Sequence, residues 1–266
     1  MSDSAVWEAQ LVECEAVLAL EPGSGGSVSC GRVARALVEK GRALVALGRS
    51  EDAVVCFGVV LERFGGATDA GLREWVASAL YASATQCLRL GRAGEAEARC
   101  DELIARERPT APGVAKSEWV AKGLLVKGMS LHAQGRAQEA MSLLDELVER
   151  FGEASHADVR ATVAKALNTK ANILGGLDRR EQALNARQEL IVRFGDSTQA
   201  ELRESVALAW FNNAVILRAL GRTEEALVML QELVDRFEDV RPATKPFLAA
   251  DALFLKGVYL ANQARR

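Results

Sequence analysis

The stretch Trp210-Phe-Asn-Asn-Ala-Val-Ile-Leu-Arg-Ala-Leu-Gly-Arg-Thr-Glu-Glu-Ala-Leu227 decides the fold. Trp210, Ala214 and Leu217 are spaced by four and three residues, which places them on one side of an α-helix. Gly221 then ends that helix, because glycine readily adopts the left-handed backbone found at helix ends. Glu225 suits the first turn of a following helix, where the helix dipole favours negative charge. The stretch therefore predicts two helices joined by a tight turn.

These features recur along the chain at intervals of 43 or 44 residues. Small residues take the position of Ala214 at Gly41, Ala84, Gly128, Ala171, Ala214 and Gly257. A tight turn follows seven residues after each of the first five, and an alanine comes five residues later, at Ala53, Ala96, Ala140, Ala183 and Ala226. A strict internal period indicates one supersecondary unit that is copied and stacked.

Apolar residues on both sides of each turn complete the repeated unit. A valine stands eight residues before the small residue, at Val33, Val76, Val120, Val163 and Val206. Four second segments end on phenylalanine, at Phe64, Phe151, Phe194 and Phe237. Two facing apolar stripes predict a helical hairpin, with a first helix of about twenty residues, a short turn and a shorter second helix.

The period sets the predicted boundaries. Residues 1–266 are expected to form a single array with five full repeats, at approximately 32–65, 70–108, 114–152, 157–195 and 200–238. Residues 5–20 and 247–263 are expected to form an N-terminal and a C-terminal capping helix. In the resulting hairpins, Glu102 with Arg106, Glu146 with Arg150, Glu189 with Arg193 and Glu232 with Arg236 are predicted as i,i+4 pairs that support the second helices.

The order Leu, Gly or Ala, Leu, Gly-Arg, Glu-Ala, Leu resembles the tetratricopeptide repeat, and residues 210–227 match it best. The resemblance covers nearly the whole chain. It implies an all-α fold: a right-handed α-solenoid of antiparallel helix hairpins with about twelve helices, of a bacterial type with elongated repeats. The period exceeds the ~34 residues usual for that family and falls among HEAT-type repeats. The first-helix proline usual in HEAT repeats is missing, however.

Composition and charge narrow the functional class. The net charge of −3 gives no sign of general nucleic-acid affinity, which normally appears as a strongly basic domain. Five cysteines without C-x-x-C spacing suggest neither disulfides nor a zinc site. No apolar run is long enough for a membrane span, and the first residues do not resemble a signal peptide. The chain is expected to be cytoplasmic, with no membrane partner.

Residue patterns for catalysis are missing. His132 and His156 are the two histidines of the chain, too few for a multi-histidine metal site and unpromising for a histidine-dependent triad. No phosphate-binding glycine motif follows a predicted strand. We therefore expect no enzyme activity, no catalytic residues, no metal and no cofactor.

The resemblance implies where a partner would bind, since the first helices of this family line a concave groove. By register, the predicted partner-binding residues are Arg35, Arg42, Tyr81, Arg89, Lys122, Met129, His132, Lys165, Asn168, Asn172, Phe211, Asn212, Arg218 and Phe254. The excess of basic over acidic side chains predicts a protein or peptide partner with acidic character. Asn168, Asn172, Asn212 and Asn213 form a predicted polar patch for peptide backbone.

Two features at these positions are open to other interpretations. Asn172 and Asn212 match the family's carboxylate clamp, but Asn168, Asp251 and Leu255 stand where the clamp requires basic residues. Lys40, Lys127, Lys170 and Lys256 suggest a basic ladder, although their position beside the buried stripe favours stems packed on apolar surface.

The sequence therefore predicts a non-catalytic scaffold for protein–protein interaction. One version of this hypothesis is that the scaffold regulates a partner enzyme. A self-assembling structural protein that joins end to end is one alternative, and a binder of nucleic acid or phosphate ligands is another. Nucleic acid is the less expected partner, and the oligomeric state stays open.

Overall fold

The computed structural model describes residues 3–20, 27–107, 118–240 and 248–264, and within these ranges the elements are all α-helices. The twelve helices are α1 (Asp3–Leu20), α2 (Ser27–Ala46), α3 (Ser50–Phe64), α4 (Ala70–Arg89), α5 (Ala93–Glu107), α6 (Glu118–Ala133), α7 (Ala137–Phe151), α8 (Ala157–Gly176), α9 (Arg180–Phe194), α10 (Ala200–Ala219), α11 (Thr223–Phe237) and α12 (Leu248–Ala264). The predicted all-α helical repeat fold is confirmed. Residues 108, 114–117 and 247 of the predicted elements lie outside the described ranges.

Contacts divide the chain into an N-terminal unit, Met1–Leu143, and a C-terminal unit, Leu144–Arg266. In the N-terminal unit each helix from α1 to α5 packs on the helix that follows it, and α4 also packs on both α2 and α6. The first helices of the hairpins thus form one layer and the second helices form the other.

The C-terminal unit has the same internal order. Each helix from α8 to α12 packs on the next, and the first helices α8, α10 and α12 also contact each other in sequence. We call the exposed side of the first helices in either unit its first-helix face.

The turns within the hairpins share one backbone geometry. Gly48, Gly91, Gly135 and Gly221 have φ between 77° and 81°, a region that costs glycine little. The following amide then reaches back across the helix end, as where Arg222 N–H donates to the Leu217 carbonyl at 2.9 Å. Asp178 takes the same place in the fourth full repeat with φ of 59°. The turn chemistry predicted from the sequence is therefore what ends each first helix.

The repeated apolar positions form the core. The alanines of the second helices are completely buried, at Ala53, Ala96, Ala140, Ala183 and Ala226. At the small-residue position, a Cβ on Gly41 would overlap the Phe57 ring, whereas a Cβ on Gly257 would meet no other atom within 4 Å. The helices therefore approach closely at Gly41, whereas the described neighbours of Gly257 leave space there.

Ion pairs link three of the first helices, α2, α6 and α8, to the second helix before them. Lys40 bonds Glu15 at 2.8 Å, Lys127 bonds Asp101 at 2.6 Å, and Lys170 pairs with Asp145. Lys256 donates instead to the Gln231 side-chain oxygen. These lysines therefore serve the contact between neighbouring repeats and do not form a basic ladder open to a ligand.

Three of the four predicted i,i+4 pairs are present, those of Arg106, Arg150 and Arg193. The prediction for the fourth arginine, Arg236, names the wrong partner. Arg236 reaches Asp196 at 3.0 Å and the Gly195 carbonyl at 3.2 Å, both in the preceding repeat. Arg106 likewise donates to the Gly65 carbonyl at 2.5 Å. An arginine at this position therefore also joins consecutive hairpins.

Candidate partner-binding faces

Basic side chains on the first-helix face of the N-terminal unit differ in whether an acid neutralises them. Arg42 donates to the Ser78 hydroxyl at 2.9 Å, and Arg89 bonds the Ser50 hydroxyl. A hydroxyl fixes the guanidinium without cancelling its charge, so both sites keep a positive potential. Arg35, in contrast, is paired with Glu39 at 2.8 Å.

An aromatic cluster lies on the same face between α4 and α6. The Tyr81 and Trp119 rings are 6.0 Å apart at an interplanar angle of 54°. The Lys122 ammonium lies 4.9 Å from the Trp119 ring and 5.9 Å from the Tyr81 ring, and it also pairs with Glu118. Trp119 donates from Nε1 to Glu74 at 3.0 Å. The cluster offers a half-exposed, rigid apolar surface of the kind that anchors protein partners.

Met129 and His132 follow on α6, and both side chains are exposed. Their positions continue the face toward the end of the helix. Arg42 on α2 bonds a serine of α4, and Lys122 on α6 lies over the Tyr81 ring of α4, so these side chains are neighbours on the three helices. That a partner binds there stays a prediction.

In the C-terminal unit the predicted residues are more engaged in the fold. Lys165 is exposed on α8. Asn168 donates from Nδ2 to the Ser205 carbonyl at 3.0 Å, and Asn172 accepts from Arg187 Nη2 at 2.6 Å. The predicted polar patch therefore spends part of its hydrogen-bonding capacity on neighbouring helices.

The apolar floor predicted on α10 and α12 is uneven. Phe211 is only 8% exposed and belongs mainly to the packing, so little of its ring is left for a partner. Phe254 is 75% exposed on α12. Arg218 lies over the Tyr259 ring at 5.5 Å. Asn212 is half-exposed, whereas its neighbour Asn213 is buried away from this face.

Two residues that the register did not select take part in these sites. Trp119 precedes the predicted groove positions of α6 by one turn, and its aromatic character was the available signal. Arg187 lies on α9 at the repeat position held elsewhere by Phe57, Cys100, Leu144 and Leu230. An arginine at a position that is apolar in every other copy was visible in the sequence alignment of the repeats.

A cleft of about 470 Å³ opens on the opposite side of the C-terminal unit, between α9 and α11. Its lining includes Leu184, Gln188, Asn213, Leu217, Val228 and Met229. Of the residues predicted to contact a partner, the cleft is lined by Asn213 of the polar patch.

Metal binding and thiol reactivity depend on how the ligating and nucleophilic side chains of the described residues are placed. These residues contain no group of three or more His, Cys, Asp or Glu side chains arranged to hold a metal. Burial raises the pKa of the Cys56 thiol to about 11 and that of the Cys100 thiol to about 12, which suppresses the reactive thiolate. Within the described ranges, none of the helices has the length and hydropathy that a membrane span requires.

Comparison with known proteins finds similarity in individual repeats. Residues 34–57, 121–146 and 208–239 match the tetratricopeptide repeat. A search of curated proteins finds no match. Among solved structures, BtubC (BKLC) from P. vanneervenii has a TM-score of 0.64 at 16% identity, covering 90% of this chain and 89% of that one. The apo form of RapI has a TM-score of 0.66 at 11% identity, covering 98% and 72%.

A putative kinesin light chain with nearly identical TPR-like repeats from Podosopora anserina gives a TM-score of 0.59 at 16% identity, covering 77% of this chain and 93% of that one. At these identities the likeness concerns the fold alone. The stacked hairpins define an α-helical repeat protein. The three matched stretches show that the chain contains tetratricopeptide repeats, and the sequence-based prediction of this type of repeat is confirmed.

Proposed function

We propose that the chain is a non-catalytic scaffold that binds an acidic segment of a protein partner on its first-helix faces. Proteins with these repeats generally serve as interaction scaffolds, and the finer assignment rests on this chain's own side chains. The observation that carries it is the pair Arg42 and Arg89, whose charges meet serine hydroxyls instead of acids. The Tyr81 and Trp119 rings beside them supply an apolar anchor.

The charge pattern supports an acidic partner. Because the whole chain is slightly acidic, unneutralised arginines on one face attract anionic segments by a local field and not by net charge. Such attraction mainly raises the association rate and falls with added salt. The aromatic cluster, which is insensitive to salt, then provides the specific contact.

The test is an array of synthetic peptides of about fifteen residues that combine glutamates with apolar side chains. We compare the wild type with a variant carrying Arg42→Glu, Arg89→Glu, Lys165→Glu and Arg218→Glu. A matched control reverses exposed arginines away from this face, with Arg63→Glu, Arg99→Glu, Arg179→Glu and Arg180→Glu. We expect the first variant to lose binding at least tenfold and the control to keep it. Equal binding by all three proteins would exclude the first-helix faces.

Self-association is a second candidate function, favoured by the surface of α12. Leu253, Phe254 and Leu260 are exposed there by about half or more of their area. Clustered apolar side chains on a soluble protein commonly mark contact sites, and a second copy of this chain is the partner that any solution of the protein supplies.

A further inference from the structure

Arg187 occupies a position that the other full repeats reserve for the core. The equivalent residues are Phe57, Cys100, Leu144 and Leu230, and all of them are buried. Arg187 is buried as well, with only 3% of its surface exposed. A charged group of this size is therefore placed where each other copy packs an apolar side chain or a small thiol.

The buried guanidinium lacks an acidic partner among the described residues. Its Nη2 donates to Asn172 Oδ1 at 2.6 Å, while Nε and Nη1 have no hydrogen-bond acceptor there. Burial lowers the pKa of Arg187 to about 10, and no carboxylate counteracts this shift. The group nevertheless stays protonated at neutral pH. A buried charge without a counterion is costly, so such groups are normally paired or functional.

The surroundings of Arg187 connect it to the first-helix face of the C-terminal unit. Asn172 is exposed on that face in the register of Arg42 and Met129, so the guanidinium lies directly beneath a surface residue. One turn earlier on α8, the Asn168 side-chain oxygen is buried and has no donor in the described part of the chain. The Nη2 atom of Arg187 is thus hydrogen-bonded to a side chain that itself reaches the face.

We propose that Arg187 is the receptor for a carboxylate of the bound partner, which enters from the first-helix face beside Asn172. The inference rests on the proposed scaffold function and adds a specific anchoring point to it. A planar carboxylate accepts two parallel N–H bonds from a guanidinium. It carries one negative charge, matching the single cation, whereas a phosphate dianion would leave an uncompensated buried charge.

The site differs from a carboxylate clamp built on first helices. Its cation comes from a second helix and is already buried before the ligand arrives. Pairing with the carboxylate would neutralise the buried charge of Arg187. Binding would therefore recover part of the free energy that the unbound protein loses by burying this charge without a counterion.

The experiment uses three pools of fluorescent dodecapeptides with varied small and apolar residues. The first pool contains one glutamate and an amidated C-terminus, the second replaces glutamate with glutamine, and the third has no acidic side chain but a free C-terminal carboxylate. Fluorescence anisotropy is measured for the wild type, Arg187→Leu, Arg187→Lys and the control Arg180→Leu, which removes an exposed arginine from the same helix.

We expect the wild type and Arg180→Leu to bind the first or the third pool, with the amidated glutamine pool at least tenfold weaker. Arg187→Leu should lose at least tenfold in affinity for the bound pool, and Arg187→Lys should be intermediate because an ammonium lacks the planar fork. Preference for the first pool identifies an acidic side chain as the ligand, and preference for the third identifies a C-terminus.

Other results overturn the inference. If Arg187→Leu, verified as folded by circular dichroism, binds the peptides as tightly as the wild type, Arg187 is no receptor while the scaffold proposal stands. If the glutamine pool binds as tightly as the glutamate pool and the free C-terminus adds nothing, no carboxylate is recognised. If no pool binds any of the four proteins, both proposals fail together.

Discussion

Arg187 illustrates how a single residue can weaken a fold that its repeat neighbours strengthen. Replacing it with leucine, the residue of Leu144 and Leu230, removes a buried charge and restores an apolar contact. We expect the free energy of unfolding to rise by about 1–4 kcal/mol, as for other buried ionic groups exchanged for hydrophobic residues. Urea unfolding followed by circular dichroism measures the change.

The pH dependence of this effect has a defined sign. A base whose pKa falls from its ordinary value to about 10 on folding binds the same number of protons in both states at pH values well below 10. The stability difference between Arg187→Leu and the wild type should therefore be constant from pH 6 to pH 9. It should shrink above pH 10, where the folded state releases the proton first. Arg180→Leu, at an exposed site, should change stability by less than about 0.5 kcal/mol.

The cysteines differ in burial, and their reactivity should differ with it. Cys30 is half-exposed, while Cys56 and Cys100 are buried with pKa values of about 11 and about 12. Since alkylation requires the thiolate, iodoacetamide at pH 8 should modify Cys30 first and Cys100 last, at rates at least a hundredfold apart. Peptide mapping by mass spectrometry follows the order. Equal rates in the native protein, with the same reagent in urea as the control, would contradict the buried placement of Cys100.

Single residues also mark the limit of what the sequence predicts. The period locates Arg42 and Tyr81 on an exposed face, because register alone determines which side of a helix a residue occupies. It does not determine hydrogen-bond partners: Asn168 and Asn172 were expected to face a peptide, but they bond Ser205 and Arg187. Those contacts depend on whether a side chain of a neighbouring helix is long enough to reach the asparagine. Arg187 is long enough, whereas the residues at its position in the other repeats are apolar.

At the scale of helices, the sequence predicts boundaries well because the signals are local. Turn glycines with positive φ end the first helices, and each described second helix from α3 to α11 begins within four residues of that turn. The start of α2 is the main difference, at Ser27 instead of residue 32. The helices α4, α8 and α10 begin six residues before their valine, and the same offset from Val33 gives Ser27. The predicted start does not apply this offset, because the Gly- and Ser-rich composition of residues 21–27 indicates a loop.

The small-residue position offers a matched pair of helix substitutions. Gly41→Ala would press a methyl group into the Phe57 ring, and we expect a loss of about 1–3 kcal/mol from overpacking. Gly257→Ala fills open space in the middle of α12 and should stabilise its unit by about 0.5–1 kcal/mol through reduced chain entropy. Thermal unfolding of both variants reports the sign, and a stabilising Gly41→Ala would contradict the close approach of α2 and α3.

For the whole molecule, the exposed side chains of α12 lead to a prediction about assembly. The wild type should increase in average mass as its concentration is raised over a hundredfold range, because association follows mass action. The variant Phe254→Glu with Leu260→Glu should stay monomeric, while Arg63→Glu serves as a surface control. Sedimentation velocity makes the measurement. A wild type that is monomeric throughout would remove self-assembly as a function.

The grouping of the repeats concerns the chain as a whole. The sequence predicts one uninterrupted array over residues 1–266, because every copy carries the same contact positions. The contacts group the chain into two compact units, and the boundary between them falls after Leu143, within the α7 range. A single continuous array across that point stays a prediction. Repetition specifies how neighbours pack but carries no information on how firmly each junction holds.

The lysine bridges between neighbouring repeats have a consequence for how this gene can change. Lys40 with Glu15 and Lys127 with Asp101 each divide one ion pair between two successive modules. Duplication of such a module by recombination supplies both halves again and strands no charge. At Asn213 the corresponding residue is Gln188, so both halves of that junction are neutral. The junction at Ser83, whose corresponding residue is Gly58, is neutral as well. Modules exchanged across either junction would leave a lysine or a carboxylate without its counterpart, so these two junctions are less open to shuffling than those bridged by an ion pair.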